Sequence, residues 1–434
     1  MEKGEYRAGG MGPKMNGLII GFDLCDSYTQ IAVYDENGAD AVGMEFSQGM
    51  EEIPTTICKC RRKDEWKIGE AACEMALLGA GIVVDKLLRL VKKGGHATLE
   101  NRTYQAQELL EIYIREALAH VREQYDKPIV KIIFTVDELD RVLLDDMMKS
   151  TVNLGFQKEQ IQIISHTESF LYYLLRQNTD NFANLATVFD LSKEGLWYYE
   201  CDVLRGMNPQ IARAAGTRLE EGFSLDILES EAGRKLADNI FQACVDRQFN
   251  RKVVSSVYLT GRGMKEIQEW GSKSLTRICN RRKVYLESEL FAKGAVWMGV
   301  SLEDAELVRY PYTMIGEGRI LADVEMTMQV AGISKSLLLL QAGDRWYTAR
   351  GRVEFILDDC DNVELQITQA GAKKSQVCRI PLGELPNRPN KTTRVRLEAE
   401  FTSETQLRVI ITDLGFGEMF PADGCVLVRE ISLQ

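Results

Sequence analysis

From Leu18 to about Gly299, short β-branched and apolar runs alternate with stretches whose apolar residues recur at helical spacing, which predicts mixed α/β packing. Gly17 to Asp23 reads as a strand ending on an acid, Cys25 to Ser27 as a turn and Tyr28 to Tyr34 as the returning strand. The same order recurs at Ala186 to Asp190, Leu191 to Gly195 and Leu196 to Cys201. Between these hairpins the pattern predicts a helix at Gln107 to Gln124, a strand at Ile129 to Val136, a helix at Asp140 to Leu154, a strand at Gln162 to Ser165 and a helix at Glu168 to Arg176. Two strand–acid–turn–strand units of one grammar indicate an internal duplication. From about Tyr310 the helical periodicity ends. Val353 to Leu357, Val363 to Thr368, Thr393 to Phe401 and Gln406 to Thr412 alternate or cluster apolar residues between turn formers, as the strands of an all-β domain do. The expected organisation is a disordered N-terminus at 1–16, rich in glycine and without an apolar face, then two lobes at about 17–185 and 186–300, then a β-sandwich at 305–434.

Charge narrows the choice of partners. Lys and Arg number 53 against 64 Asp and Glu, a net charge of −11 without a basic block, so no nucleic-acid partner is expected. The longest apolar runs, such as Leu337 to Leu340, fall far short of the roughly 20 residues a spanning helix needs. With no apolar secretory core at the N-terminus, no membrane partner and a cytoplasmic location are expected. Ten cysteines are scattered without a paired framework. Cys58 and Cys60, with Cys73 and His96 as loose companions, are a weak metal candidate. His96, His120 and His166 leave little room for a histidine-based centre, so free thiols and no metal site of the chain's own are expected.

Several short motifs stand in a telling order: Asp23-Leu24-Cys25-Asp26-Ser27, Ile132 to Val136, Ile163-Ile164-Ser165-His166-Thr167, Phe189-Asp190-Leu191-Ser192-Lys193-Glu194-Gly195, Ala215-Gly216-Thr217, Leu259-Thr260-Gly261-Arg262-Gly263 and Ala292-Lys293-Gly294-Ala295. In that order they resemble the actin and DnaK-type chaperone superfamily, whose two duplicated lobes close over Mg-ATP. The resemblance implies an actin-like (ribonuclease H-like) two-lobe ATPase fold. Ile380 to Pro386, Thr393 to Phe401 and Leu407 to Asp413 resemble the end of the chaperone peptide-binding sandwich, and the helical lid of those chaperones has no counterpart. The resemblance further implies that Asp23, Ser27, Asp190, Lys193, Gly261 and Gly263 would line a nucleotide and magnesium site. Lys86 and His166 would stand at the places of its phosphate-reaching lysine and water-orienting carboxylate.

The chain departs from the family where phosphates would bind. Glycine-rich turns bring backbone N–H groups close to phosphate oxygens, yet Cys25 replaces a glycine in the first turn and Ser192-Lys193-Glu194 replaces three in the second. A Glu194 carboxylate beside phosphates would be repulsive unless a metal offset it. Lys86, set in what reads as ordinary helix, is either solvated or turned to the cleft. Asp23 and Asp190 either hold magnesium-bound waters or bond their own turns. Only 38 positions separate Leu219 from Val257, where the chaperones carry a subdomain, and one helix at Ser224 to Arg247 would nearly fill the gap. The expectation is a degenerate member without ATP hydrolysis and with no cofactor, ATP and magnesium entering only if the site works. It would act as a scaffold binding a protein or peptide client at the β-sandwich. A slow ATP-dependent chaperone and an actin-like filament or cell-division partner are the alternatives.

Overall fold

The computed structural model describes residues 15–61, 63, 65–206, 209–219, 223, 225–304 and 311–433. Most of the expected disordered N-terminus, residues 1–14, and Glu220 to Gly222 lie outside the described residues. The chain divides into two compact units, residues 1–203 with 214–310 and residues 204–213 with 311–434.

In the first unit, the strand Leu18–Leu24 pairs in parallel with Ile129–Val136, which pairs in parallel with Ile161–Ser165, while Tyr28–Asp35 returns antiparallel beside Leu18–Leu24. All seven residues of Leu18–Leu24 are buried, as befits a strand covered on both faces. The helix Leu290–Glu303 packs so closely on this strand that a Cβ at Gly21 would lie 2.0 Å from the Ala292 carbonyl oxygen. The second sheet has the same connectivity. Leu185–Ser192 pairs antiparallel with Gly195–Leu204 and in parallel with Val254–Thr260, which pairs in parallel with Lys283–Leu286. Asp23 lies in register with Thr135 and Asp190 with Thr260, so each acid stands near the end of its strand beside a threonine of its parallel neighbour.

Local chemistry sets the helix starts. Asp140 Oδ1 accepts from Leu143 N at 3.0 Å and starts Arg141–Asn153. Ser165 Oγ accepts from Glu168 N at 3.1 Å, which places His166 at the first position of the helix His166–Leu174. Ser230 caps Glu231–Gln248 through Gly233 N at 3.0 Å. The single helix expected at Ser224 to Arg247 is therefore two elements, a short 3-10 turn at Leu225–Glu229 and then the capped helix. Lys86 is not in a helix either. It has φ +51° and is exposed between the strand Gly81–Val84 and the helix Leu87–Lys92.

In the second unit, residues 210–213 pair in parallel with Tyr312–Ile315. Two four-stranded antiparallel sheets follow, ordered Ile333–Leu340, Ala322–Val330, Asn362–Gln369, Gln376–Pro381 and Arg350–Ile356, Arg394–Phe401, Gln406–Gly415, Val426–Ser432. The alternation is clean in Gln406–Gly415, where Leu407, Val409, Ile411 and Asp413 form the buried row. One member of that row is a carboxylate, which Arg388 meets with two bonds of 2.7 and 2.8 Å. Among the described residues, no helix is long and apolar enough to cross a membrane.

Candidate functional site

Both hairpin acids of the first unit are interior, Asp23 at 0% and Asp190 at 2% exposure. Because Ser165 starts the helix where it does, the imidazole of His166 is delivered to the first hairpin. Its Nε2 lies 2.8 Å from Asp23 Oδ1 and 3.6 Å from Cys25 Sγ, and its Nδ1 lies 3.4 Å from the Tyr199 hydroxyl. The ring stacks on Phe291, with centroids 3.9 Å apart and an interplanar angle of 4°. Burial alone would lower the pKa of His166, but the charge and hydrogen bond of Asp23 together with the charges of Asp137 and Asp190 outweigh it and the pKa is raised. Burial, reinforced by Asp23, pushes the Cys25 thiol well above its usual range. Asp190 is pushed up to about 7, first by burial, with His166 opposing and Asp23, Glu194 and Glu52 adding to the rise.

The two turns are joined directly. Ser27 Oγ donates to Glu194 Oε2 at 2.6 Å and Ser192 Oγ donates to the same oxygen at 3.0 Å. The Arg218 guanidinium donates to the Glu194 carbonyl oxygen. Lys193, the other residue of the second turn, is exposed and borders a cavity of about 220 Å³ together with Ser27, Glu52, Arg262 and Lys265. Gly261 has φ +81°, and a Cβ there would lie 2.2 Å from Asp190 Oδ1. A Cβ at Gly263 would meet the Leu191 side chain at 2.5 Å. These glycines thus let the backbone close on the second hairpin.

The fold brings together Asp23, Ser27 and His166 from one side and Asp190, Gly261 and Gly263 from the other. It leaves Lys86 exposed beyond the first hairpin. The residue of that neighbourhood that does reach the hairpin is Arg89, whose N–H donates to Asp26 Oδ1 at 2.9 Å and whose Nε lies 3.4 Å from Asp26 Oδ2. Sequence reasoning passed over Arg89, Tyr199 and Phe291. Phe291 was the findable one, since it directly precedes Ala292-Lys293-Gly294-Ala295. Cys58 and Cys60 are buried in the strand Ile57–Cys60. Among the described residues, the group of metal-capable side chains that converges is Asp23, Cys25 and His166.

The chain is thus a mixed α/β protein with a C-terminal all-β region and a buried acid–thiol–imidazole cluster at its paired hairpins. Residues 42–317 match the family of unknown function DUF5716, C-terminal part. That match covers more than half of the chain, which therefore belongs to this family. Residues 319–433 match a domain of unknown function, DUF8552. No curated protein matches the chain.

Proposed function

We propose that the chain is a degenerate relative of actin and the DnaK-type chaperones that no longer hydrolyses ATP and works as a protein- or peptide-binding scaffold. The observation that carries this reading is the bond from Ser27 to Glu194. In an actin-like site the two hairpin turns receive phosphate oxygens from opposite sides. Here a carboxylate of the second turn takes the hydroxyl of the first, and His166 takes the carboxylate of Asp23. An incoming triphosphate would have to break both contacts and lie against Glu194, an electrostatic cost with no glycine N–H cradle to offset it. Calorimetry of the full chain with Mg-ATP should find no binding tighter than about 10 μM, roughly −7 kcal/mol. Tighter, magnesium-dependent binding abolished by Asp23→Ala or Asp190→Ala would overturn the reading.

The binding role is supported by a groove of about 870 Å³ in the second unit, lined by Met326, Met328, Phe355, Ile356 and Val363 among others. Methionines and an exposed isoleucine suit an apolar side chain of variable shape. The full chain should enrich extended apolar peptides from a library, with Phe355→Asp reducing enrichment at least about tenfold, or roughly 1.4 kcal/mol. Absence of enrichment by the wild-type chain would sink the scaffold role.

A further inference from the structure

We propose that Asp23, Cys25 and His166 form a site for one borderline-soft divalent cation of the zinc type. The donors are a carboxylate oxygen, a sulfur and an imidazole nitrogen, all buried, from segments 141 residues apart. Sulfur and imidazole select zinc-type ions over magnesium or calcium, which prefer oxygen. The spacing fits as well. Cys25 Sγ lies 3.6 Å from both His166 Nε2 and Asp23 Oδ1, and the latter two lie 2.8 Å apart. A tetrahedral ion with a metal–sulfur bond of about 2.3 Å and metal–nitrogen or –oxygen bonds of about 2.0–2.1 Å holds its ligand atoms about 3.3–3.6 Å apart. Two of the three separations already meet that requirement. The third opens by about 0.5 Å when the ion replaces the hydrogen bond.

Independent observations point to a missing positive partner. Asp23 Oδ2 is buried without a hydrogen-bond partner among the described residues, a state that buried carboxylate oxygens seldom keep. Asp137 and Glu194 add negative charge around Cys25. The imidazole is held for ligation from outside the cluster, since Phe291 fixes its plane and the Tyr199 hydroxyl can accept from Nδ1–H, the outer contact that ligating histidines commonly make. Binding releases the thiol proton of Cys25 and the proton shared by Nε2 and Asp23, while the ring keeps a proton on Nδ1. The fourth position falls to water.

The test uses the full chain, stripped with a chelator, incubated with Zn²⁺ or Co²⁺ and freed of excess metal. About one zinc ion per chain should remain, and the cobalt form should show a thiolate-to-metal charge-transfer band. The near-isosteric Cys25→Ser should abolish the band and lower zinc retention at least about tenfold, while Cys60→Ser should leave both unchanged. If Cys25→Ser fails to fold by circular dichroism, Asp23→Asn decides, with the same loss of retention expected. Retention below about 0.1 ion per folded wild-type chain would overturn the site. So would metal held equally by all variants, which would be an adventitious ion only, or a band lost in Cys60→Ser and kept in Cys25→Ser.

Discussion

Replacing Arg388 with alanine is expected to lower the unfolding free energy of the second, all-β unit by about 3–5 kcal/mol, the cost of leaving a buried carboxylate without its partner. Asp413 has no exposed side-chain surface, and Arg388 is nearly as buried at 8%. The carboxylate is fully engaged, with two guanidinium bonds and the N–H groups of Gly415 and Asp423 at 3.1 Å each. The guanidinium, aided by those N–H groups, holds the Asp413 carboxyl well below the usual carboxylate range. A depressed folded-state pKa means that the pair's stabilisation is present above about pH 4, the unfolded value, and is lost as pH falls below it. Urea titration followed by fluorescence of Trp346, buried in the same unit, reads the effect. A loss under about 1 kcal/mol would show that the pair is no better than a surface contact. The double variant Arg388→Met, Asp413→Leu should recover only part of the loss, because an apolar pair strands no charge but leaves the N–H groups of Gly415 and Asp423 without their acceptor.

Asp190→Asn should have the opposite sign. In metal-free protein at pH 8 it is expected to stabilise the first unit by about 2–4 kcal/mol, since the carboxyl titrates near 7 instead of its ordinary 3.8 and each unit corresponds to about 1.4 kcal/mol. A carboxyl whose folded pKa is raised favours the folded state while it is protonated. Its contribution is therefore lost as pH rises from about 4 to about 7 and is level above that. His166, also raised, acts in the same direction, its stabilisation disappearing as pH climbs through its folded value. Wild-type stability should accordingly fall between pH 5 and 8, and Asp190→Asn should flatten the part due to Asp190. Besides His166, the charges acting on Asp190 are Asp23, Glu194 and Glu52, none of which the substitution removes. Denaturant midpoints at four pH values measure both claims. A variant less stable than wild type at pH 8, or an unchanged slope, would refute the assignment.

What the sequence made legible is what short-range physics encodes. Periodicity placed the strands Leu18–Leu24 and Ile129–Val136 to within a residue or two, because alternation and run length are local properties. The position of Ser230 also carried a local signal, since a serine directly before a helical run is a natural cap, yet one apolar period drawn across it hid the break. The helical setting expected around Lys86 failed for a related reason, although its exposure agrees with the solvated alternative. The strand Gly81–Val84 is short and partly exposed, and its identity comes from pairing with Ile57–Cys60, not from its own residues. The meaning of Glu194 was out of reach altogether. Beside an expected phosphate it reads as repulsion, and beside Ser27 it is an acceptor, but nothing in either residue's neighbourhood announces a partner 167 positions away.

That distance has a consequence for how the first unit comes apart. A contact closing so long a loop is entropically dear unless both ends are already held in place, so it forms only when both hairpins are built. Once either sheet loosens, Glu194 loses Ser27 and is left a half-buried carboxylate near Asp190 and Asp137. Each hairpin therefore depends on the other, and the helices His166–Leu174 and Leu290–Glu303, packed until a Cβ at Gly294 would lie 2.0 Å from the Ser169 carbonyl oxygen, tie the same regions again. The amides of Ile129–Val136 and Val254–Thr260 should then exchange their hydrogens through one shared opening, as a single foldon built from two sheets.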